Sequence, residues 1–233
     1  MNDEGRKIRY QFLSVLSHEL KSPLNAVEGY LNMMMDRHEG ENINDYINMI
    51  ERSLQRIQGM RSLIMDLLDF TKMRLEVKQD NISDIDPSSL IEQCIETINP
   101  LAIQKDVDIE IENRSPVIIS ADKEDITIIF NNLLSNAVKY NVEGGKVKIN
   151  IARTGDNAVI EVSDTGIGIK KEDQDRLFND FVRIKNDMTR NITGSGLGLS
   201  IVKKITELYN GSVSISSEPG KGSTFTLSLP LKQ

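Results

Sequence analysis

The chain has one cysteine and two histidines among its 233 residues, and each shortage closes off a class of function. A single thiol, Cys94, makes neither an intrachain disulfide framework nor a multi-cysteine metal site. Set in an apolar helical pattern, it reads as a small buried residue. Two histidines argue against a zinc centre. An excess of positive charge is missing too. The 28 Lys and Arg face 35 Asp and Glu, for a net charge of −7, and the two signs are interleaved, which argues against a nucleic-acid or anionic-membrane surface. No apolar run approaches the about 18 residues that a membrane helix needs. The polar opening MNDEGRKIRY is no secretory leader, so the expected location is cytoplasmic. A helical pattern is already under way at the start, which suits a piece of something longer and leaves room for a membrane anchor in a parent chain.

What is present is a globular composition, 39% hydrophobic and 27% charged, with length enough for two modest domains. The first ~75 residues read as two long helices. Ile8, Phe12, Val15, Leu16 and Leu20 recur at helical steps, and the pattern resumes at Leu24, Val27 and Leu31. After a polar break from Arg37 to Asn44, a second helix carries Ile47, Ile50, Leu54, Ile57, Ile64 and Leu68 in near-heptad rhythm. Two helices have too little partner surface for such stripes, so a homodimer through these helices, a four-helix bundle, is expected. The alternative is a monomer that packs the hairpin on the rest of the chain. The rhythm ends in a charged linker at Lys72 to Ser83, which sets domains of 1–78 and 79–233. Beyond it the spacing predicts helices from Asp86-Pro87 through Ile98, over Asp122 to Tyr140 and over Ser195 to Tyr209. Strands are expected at Asp106 to Glu112, in a hairpin around Thr154-Gly155-Asp156, and near Val213 to Ser216 and Thr224 to Leu229.

Three stretches carry candidate chemistry. In NNLLSNAVKY, Asn132 and Asn136 stack on one helix face, with Lys139 and Tyr140 one turn on. Amide carbonyls ligate hard cations, although a solvated polar face accounts for the pattern as well. DTGIGI, Asp164 to Ile169, follows a strand. Its aspartate can accept a hydrogen bond from an exocyclic amine, while Gly166 and Gly168 let the backbone pass close to a flat ligand. A tight turn is the plain alternative, and the third glycine of a dinucleotide fingerprint is replaced by Lys171. GSGLGLS opens a helix with Gly194, Gly196 and Gly198, exposing N–H groups at the positive end of the dipole; a flexible helix entry is the alternative. Between the last two lies a polar, irregular segment from about Ile184 to Thr193, where a lid would be.

SHELKSPLN, NNLLSNAVKY, DTGIGI, LFNDFVR, GSGLGLS and GKGSTFTLSLP, in that order, resemble the sensor histidine kinases of two-component signalling over nearly the whole chain. The resemblance implies an α+β chain: a helical hairpin forming a dimeric four-helix bundle, then an α/β sandwich ATP-binding domain shared with topoisomerase and chaperone ATPases. It implies ATP and Mg²⁺ as cofactors, with Asn136 at the metal and Asn132, Lys139 and Tyr140 beside the phosphates. Asp164 would read the adenine amine in a pocket shaped by Gly166 and Gly168. Gly194, Gly196, Leu197 and Gly198 would line the lid and phosphate loop, and Arg183 would approach the γ-phosphate.

His18 lies away from the apolar stripe of the first helix, so it is expected to face solvent, and Pro23 is expected to bend the helix just past it. A neutral imidazole is a competent nucleophile near pH 7, and Glu19 can orient it and accept its proton. His38 reads as a solvent-facing loop residue. The resemblance implies autophosphorylation on His18 and transfer to a response-regulator receiver domain. Relatives that also dephosphorylate their partner use Thr or Asn four residues after the histidine, where this chain has Ser22. Two rivals stand beside this reading. A water-hydrolysing ATPase would need a glutamate where Asn132 stands, and a non-enzymatic scaffold would not need His18, Asn136 and Asp164 intact.

Overall fold

The computed structural model describes residues 20–36, 40, 42–73, 81–184, 186, 188, 189, 192 and 194–232. Ile8, Phe12, Val15, Leu16, the His18–Glu19 pair and His38 lie outside the described residues. Two compact units divide the chain, Met1–Leu67 and Leu68–Gln233.

In the first unit, α1 covers residues 20–35 and runs through Pro23, with helical residues on both sides of it. A short 3-10 turn, Ile43–Tyr46, leads into α2, Ile47–Met73, whose residues from Leu68 on belong to the second unit. The entry is held locally: the Asp45 carboxylate accepts from the Asn42 N–H at 3.2 Å, and the buried Tyr46 donates its hydroxyl to the Gly40 carbonyl at 2.6 Å. Val27 and Leu63 are buried. The near-heptad row on α2 is not: Ile47, Leu54, Ile57, Ile64 and Leu68 are 41–54% exposed.

The second unit is a sandwich. A mixed five-stranded sheet has the order β2-β4-β5-β7-β6, built from β2 (Asp108–Arg114), β4 (Lys146–Thr154), β5 (Asn157–Asp164), β6 (Ser212–Glu218) and β7 (Gly222–Pro230). Only β2 and β4 pair in parallel; the other neighbours are antiparallel. Alternation along the strands sends Val147, Ile149, Ile151, Ala158, Ile160, Val162, Phe225, Leu227 and Leu229 to one buried face. Three helices cover it: α3 (Pro87–Gln104), α4 (Lys123–Lys139) and α6 (Gly198–Leu208). Helix α4 is central and packs against both of the others. Its Asp122 cap accepts from the Glu124 N–H, and its stripe of Ile126, Ile129, Phe130, Leu133, Leu134, Ala137 and Val138 is buried.

The elements differ from the sequence reading in instructive places. Helix α3 continues past Ile98 and through Pro100 to Gln104. Proline forfeits one helical bond, but the turn beyond it buries Ala102 completely. Lys105 then closes the end, its N–H meeting the carbonyls of Leu101, Ala102 and Ile103. Helix α6 starts at Gly198 rather than Ser195. A two-stranded ribbon of β1 (Ile82–Ile85) and β3 (Ile119–Asp122) was not expected, nor was the single turn α5 (Lys171–Gln174). β1 takes the end of the stretch read as linker.

Phe130 is completely buried in the middle of α4. Phe130→Ala is expected to cost about 3–5 kcal/mol of stability, read as a lower urea midpoint with an unchanged slope.

Candidate functional site

Because α4 commits one flank to the sheet, Asn132, Asn136, Lys139 and Tyr140 fall on the half-exposed flank beside it. The four are not equivalent. Asn132 is tied up inside the protein: its amide nitrogen donates to the Ile128 carbonyl at 2.9 Å, and its Oδ1 lies 2.3 Å from where a Cβ on Gly198 would sit. Glycine at 198 is what allows the start of α6 to meet this amide. The Asn136 carboxamide, by contrast, makes no hydrogen bond among the described residues, so its oxygen is available to a cation. No group of three or more His, Cys, Asp or Glu side chains that could hold a metal occurs among the described residues, so a cation here would rest on few protein ligands.

The carboxyl end of α4 is clamped. The Lys105 ammonium donates to the carbonyls of Val138 and Lys139, where the dipole favours a cation; burial lowers its pKa below the ordinary lysine value. The next carbonyl, that of Tyr140, accepts from the Ile167 N–H at 3.1 Å. That bond brings the turn after β5 onto the end of α4.

In this turn, Asp164 Oδ1 accepts from the Gly166 N–H at 2.8 Å and the Ser223 N–H at 3.3 Å. Both bonds use one oxygen and leave Oδ2 for a ligand donor. Burial pushes the Asp164 carboxyl up to about 6, the two N–H groups pulling the other way. The glycines serve the turn's own packing: a Cβ on Gly166 would lie 2.3 Å from the Tyr140 carbonyl oxygen and one on Gly168, at φ +65°, 2.0 Å from that of Glu218. The sequence reading offered a flat ligand or a tight turn, and these close contacts are those of the turn.

Arg183 and the glycine loop join the same cluster. Gly196, at φ +75°, has the backbone of Phe181 and Val182 and the Arg183 side chain within 3.1 Å of where a Cβ would stand. The Arg183 guanidinium donates to the Ile192 carbonyl at 2.6 Å. Its positive charge favours ionisation of the Tyr140 phenol, although burial outweighs it and raises that pKa. Leu197, completely buried, caps α6 without any side-chain hydrogen bond. The Leu197 N–H itself donates to the Ser195 hydroxyl at 3.0 Å, and among the described residues no N-cap side chain takes up the N–H groups of the first turn of α6. Among the described residues, nothing lies within 4 Å of where a Cβ on Gly194 would stand.

Part of the expected lid is described. Asn186 Oδ1 accepts from the N–H groups of Met188 and Thr189, both at 2.9 Å, and the Thr189 hydroxyl donates to the Ile184 carbonyl at 2.7 Å. Ser22 lies exposed on α1, in the other unit.

Sequence reasoning missed the residues that hold the turn from behind. Asn141, buried, donates to the carbonyls of Ala137 and Lys146, both at 3.1 Å, and accepts from the Val142 N–H and the Thr165 hydroxyl. Gln174 and Ser217 bridge to Ile169. Asn141 also bonds near neighbours, but the Thr165–Asn141, Ile169–Ser217 and Gln174–Ser217 bonds join residues 24 to 48 positions apart, which no local pattern marks.

Residues 121–233 match the histidine kinase-, DNA gyrase B-, and HSP90-like ATPase family, and residues 8–76 match the His Kinase A (phospho-acceptor) domain. The chain is 30% identical over 231 residues to the sensor histidine kinase RcsC of Escherichia coli K12, covering 98% of this chain and 24% of RcsC. It is 35% identical over 227 residues to the circadian input-output histidine kinase CikA of Synechococcus elongatus, covering 94% and 30% respectively. The chain thus spans about a quarter to a third of the length of these relatives. A solved structure of histidine kinase ThkA in complex with response regulator protein TrrA shares the fold at a TM-score of 0.73 and 22% identity, over 98% of this chain and 64% of that one.

The raised pKa of Asp164 fixes a sign for stability. A carboxyl whose folded pKa lies above its ordinary 3.8 costs the fold stability when ionised. That cost is fully present above about pH 6 and vanishes below about pH 4. Asp164→Asn is therefore expected to raise the ligand-free melting temperature at pH 7–8, with the gain shrinking as pH falls towards 4.

Proposed function

The chain belongs to the sensor histidine kinases of two-component signalling, and we propose that it transfers the γ-phosphoryl group of ATP to His18 and from there to an aspartate of a response-regulator receiver domain. The observation that carries the nucleotide half is the convergence of Asp164, the Asn136 flank of α4 and the open start of α6 around one turn. Asp164 Oδ2 accepts from the adenine amine, Tyr140 and Lys139 lie towards the phosphates, and Arg183, beside Gly196, approaches the γ-phosphate. The first N–H groups of α6 face developing negative charge. Mg²⁺, held by Asn136 and phosphate oxygens, supplies charge neutralisation.

In the transfer step a bond forms between an imidazole nitrogen of His18 and the γ-phosphorus while the bond to the β–γ bridging oxygen breaks and ADP leaves. Glu19 orients the ring and takes the proton from its other nitrogen. In the second step the phosphorus–nitrogen bond breaks as a carboxylate of the receiver domain attacks. Hydrolysis is disfavoured because Asn132, at the place of the water-activating glutamate, is an amide already bonded to Ile128. Ser22, exposed four residues after His18, has a hydroxyl that can orient water for removing phosphate from the partner.

The division of labour falls at 1–78 for dimerisation and phosphotransfer and 79–233 for catalysis. Homodimerisation is supported by the exposed row Ile47, Leu54, Ile57, Ile64 and Leu68, a stripe that one copy leaves in water and a second copy covers. No helix among the described residues is long and apolar enough to cross a membrane, and we place this portion in the cytoplasm, with ATP. ThkA, solved with a response regulator, is the precedent for the partner.

Incubation with [γ-³²P]ATP is expected to leave acid-labile, alkali-stable label that His18→Gln abolishes; release of free phosphate alone would refute the kinase reading. Leu54→Glu, which puts a charge in the exposed α2 row, is expected to shift the sedimentation coefficient from dimer to monomer without loss of helix signal.

A further inference from the structure

The β6–β7 hairpin is docked onto the turn that bears Asp164 by more bonds than holding two loops together requires. Gln174, 4% exposed, spends both protons of its Nε2 there, one on the Ile169 carbonyl at 3.0 Å and one on the Ser217 carbonyl at 2.8 Å. The Ser217 hydroxyl uses its full capacity. It accepts from the Ile169 N–H at 2.8 Å, donates to the Gly222 carbonyl at 2.9 Å, and shares a 2.9 Å bond with the Ser223 hydroxyl, which must then be the donor. The Gly220 N–H adds a bond to the Ile167 carbonyl at 2.8 Å. At the end of this chain of bonds stands the Ser223 N–H, one of the two donors that fix Asp164 Oδ1.

We infer that Ser217 and Gln174 are positioning residues for base recognition: they set the hairpin so that the Ser223 N–H holds Oδ1 of Asp164 and leaves Oδ2 aimed at the exocyclic amine of the nucleotide. The inference rests on the reading of Asp164 as the group that meets this amine. Neither side chain bonds to Asp164 itself; both act through the hairpin. The geometry allows little slack, since a Cβ on Gly222, at φ +101°, would lie 1.9 Å from the Asp164 carbonyl oxygen. A shift of the hairpin therefore moves the aspartate directly.

A comparison of ATP with purine riboside triphosphate, which lacks only the 6-amino group, separates positioning from general support. Dissociation constants for both are measured by calorimetry on the full chain, for the unchanged protein and for Ser217→Ala, Ser217→Thr and Gln174→Leu. The unchanged protein is expected to prefer ATP. Ser217→Ala and Gln174→Leu are expected to weaken ATP by about tenfold, the worth of one well-aligned hydrogen bond to a charged group, with the desamino nucleotide nearly unaffected. Ser217→Thr, which keeps the hydroxyl, is expected to restore the preference. Equal weakening of both nucleotides would show that the residues only support the fold and would overturn the inference, as would a preference that survives both substitutions. An unchanged protein that binds both nucleotides alike would instead overturn the reading of Asp164, and the inference with it. If Gln174→Leu does not fold, Ser217→Ala decides alone, because it differs from the unchanged protein only in the hydroxyl.

Discussion

Seven apolar side chains along α4, from Ile126 to Val138, are removed from water against the sheet and its flanking helices. Burial of that size fixes the rotation of the helix about its own axis, since each large side chain contributes about 1.5–3 kcal/mol. Once the rotation is fixed, the positions of Asn132, Asn136, Lys139 and Tyr140 follow from the 3.6-residue turn. The site therefore takes its geometry from the core rather than from loops. Lys105 then fixes where the helix stops, and the Tyr140 carbonyl fixes where the next turn lands.

Among those polar residues the structure separates two kinds of work that look alike as amino-acid types. Asn132 and Asn141 spend their amides on the protein's own backbone, one against α6 and one against the turn after α4. Asn136 keeps its amide uncommitted. Asp164 stands between these cases, with one oxygen held and the other kept for use. Burial of this carboxylate is an electrostatic cost to the empty protein, and it strengthens any hydrogen bond that a bound donor makes to it.

Much of this was legible in the sequence, for definable reasons. The helix read over Asp122 to Tyr140 stands at Lys123–Lys139, and the hairpin expected at Gly155 joins β4 and β5. The β1–β3 ribbon was not legible, because four-residue strands such as Ile82–Ile85 carry almost no alternation and find partners far along the chain. Helix α3 was read only through Ile98; Pro100 forfeits one helical bond, but the burial of Ala102 and the closure at Lys105 carry the helix past it. The least legible feature was the meaning of the glycines. The sequence left Gly166 and Gly168 between a flat ligand and a tight turn, and only the fold shows that the carbonyls of Tyr140 and Glu218 stand where a side chain would go.

The same close approaches bear on the pharmacology of the site. At the adenine site proposed above, a competitive inhibitor would select for substitutions that crowd the compound while sparing the nucleotide. Gly166, Gly168 and Gly222 are closed to that route, because any added side chain strikes a main-chain oxygen within 2.3 Å before it reaches the ligand. Gly194, with nothing among the described residues within 4 Å of where a Cβ would stand, offers no such protection. Chemistry directed at the walls built by the first three glycines would meet a surface that escape mutations can alter only by breaking the domain itself.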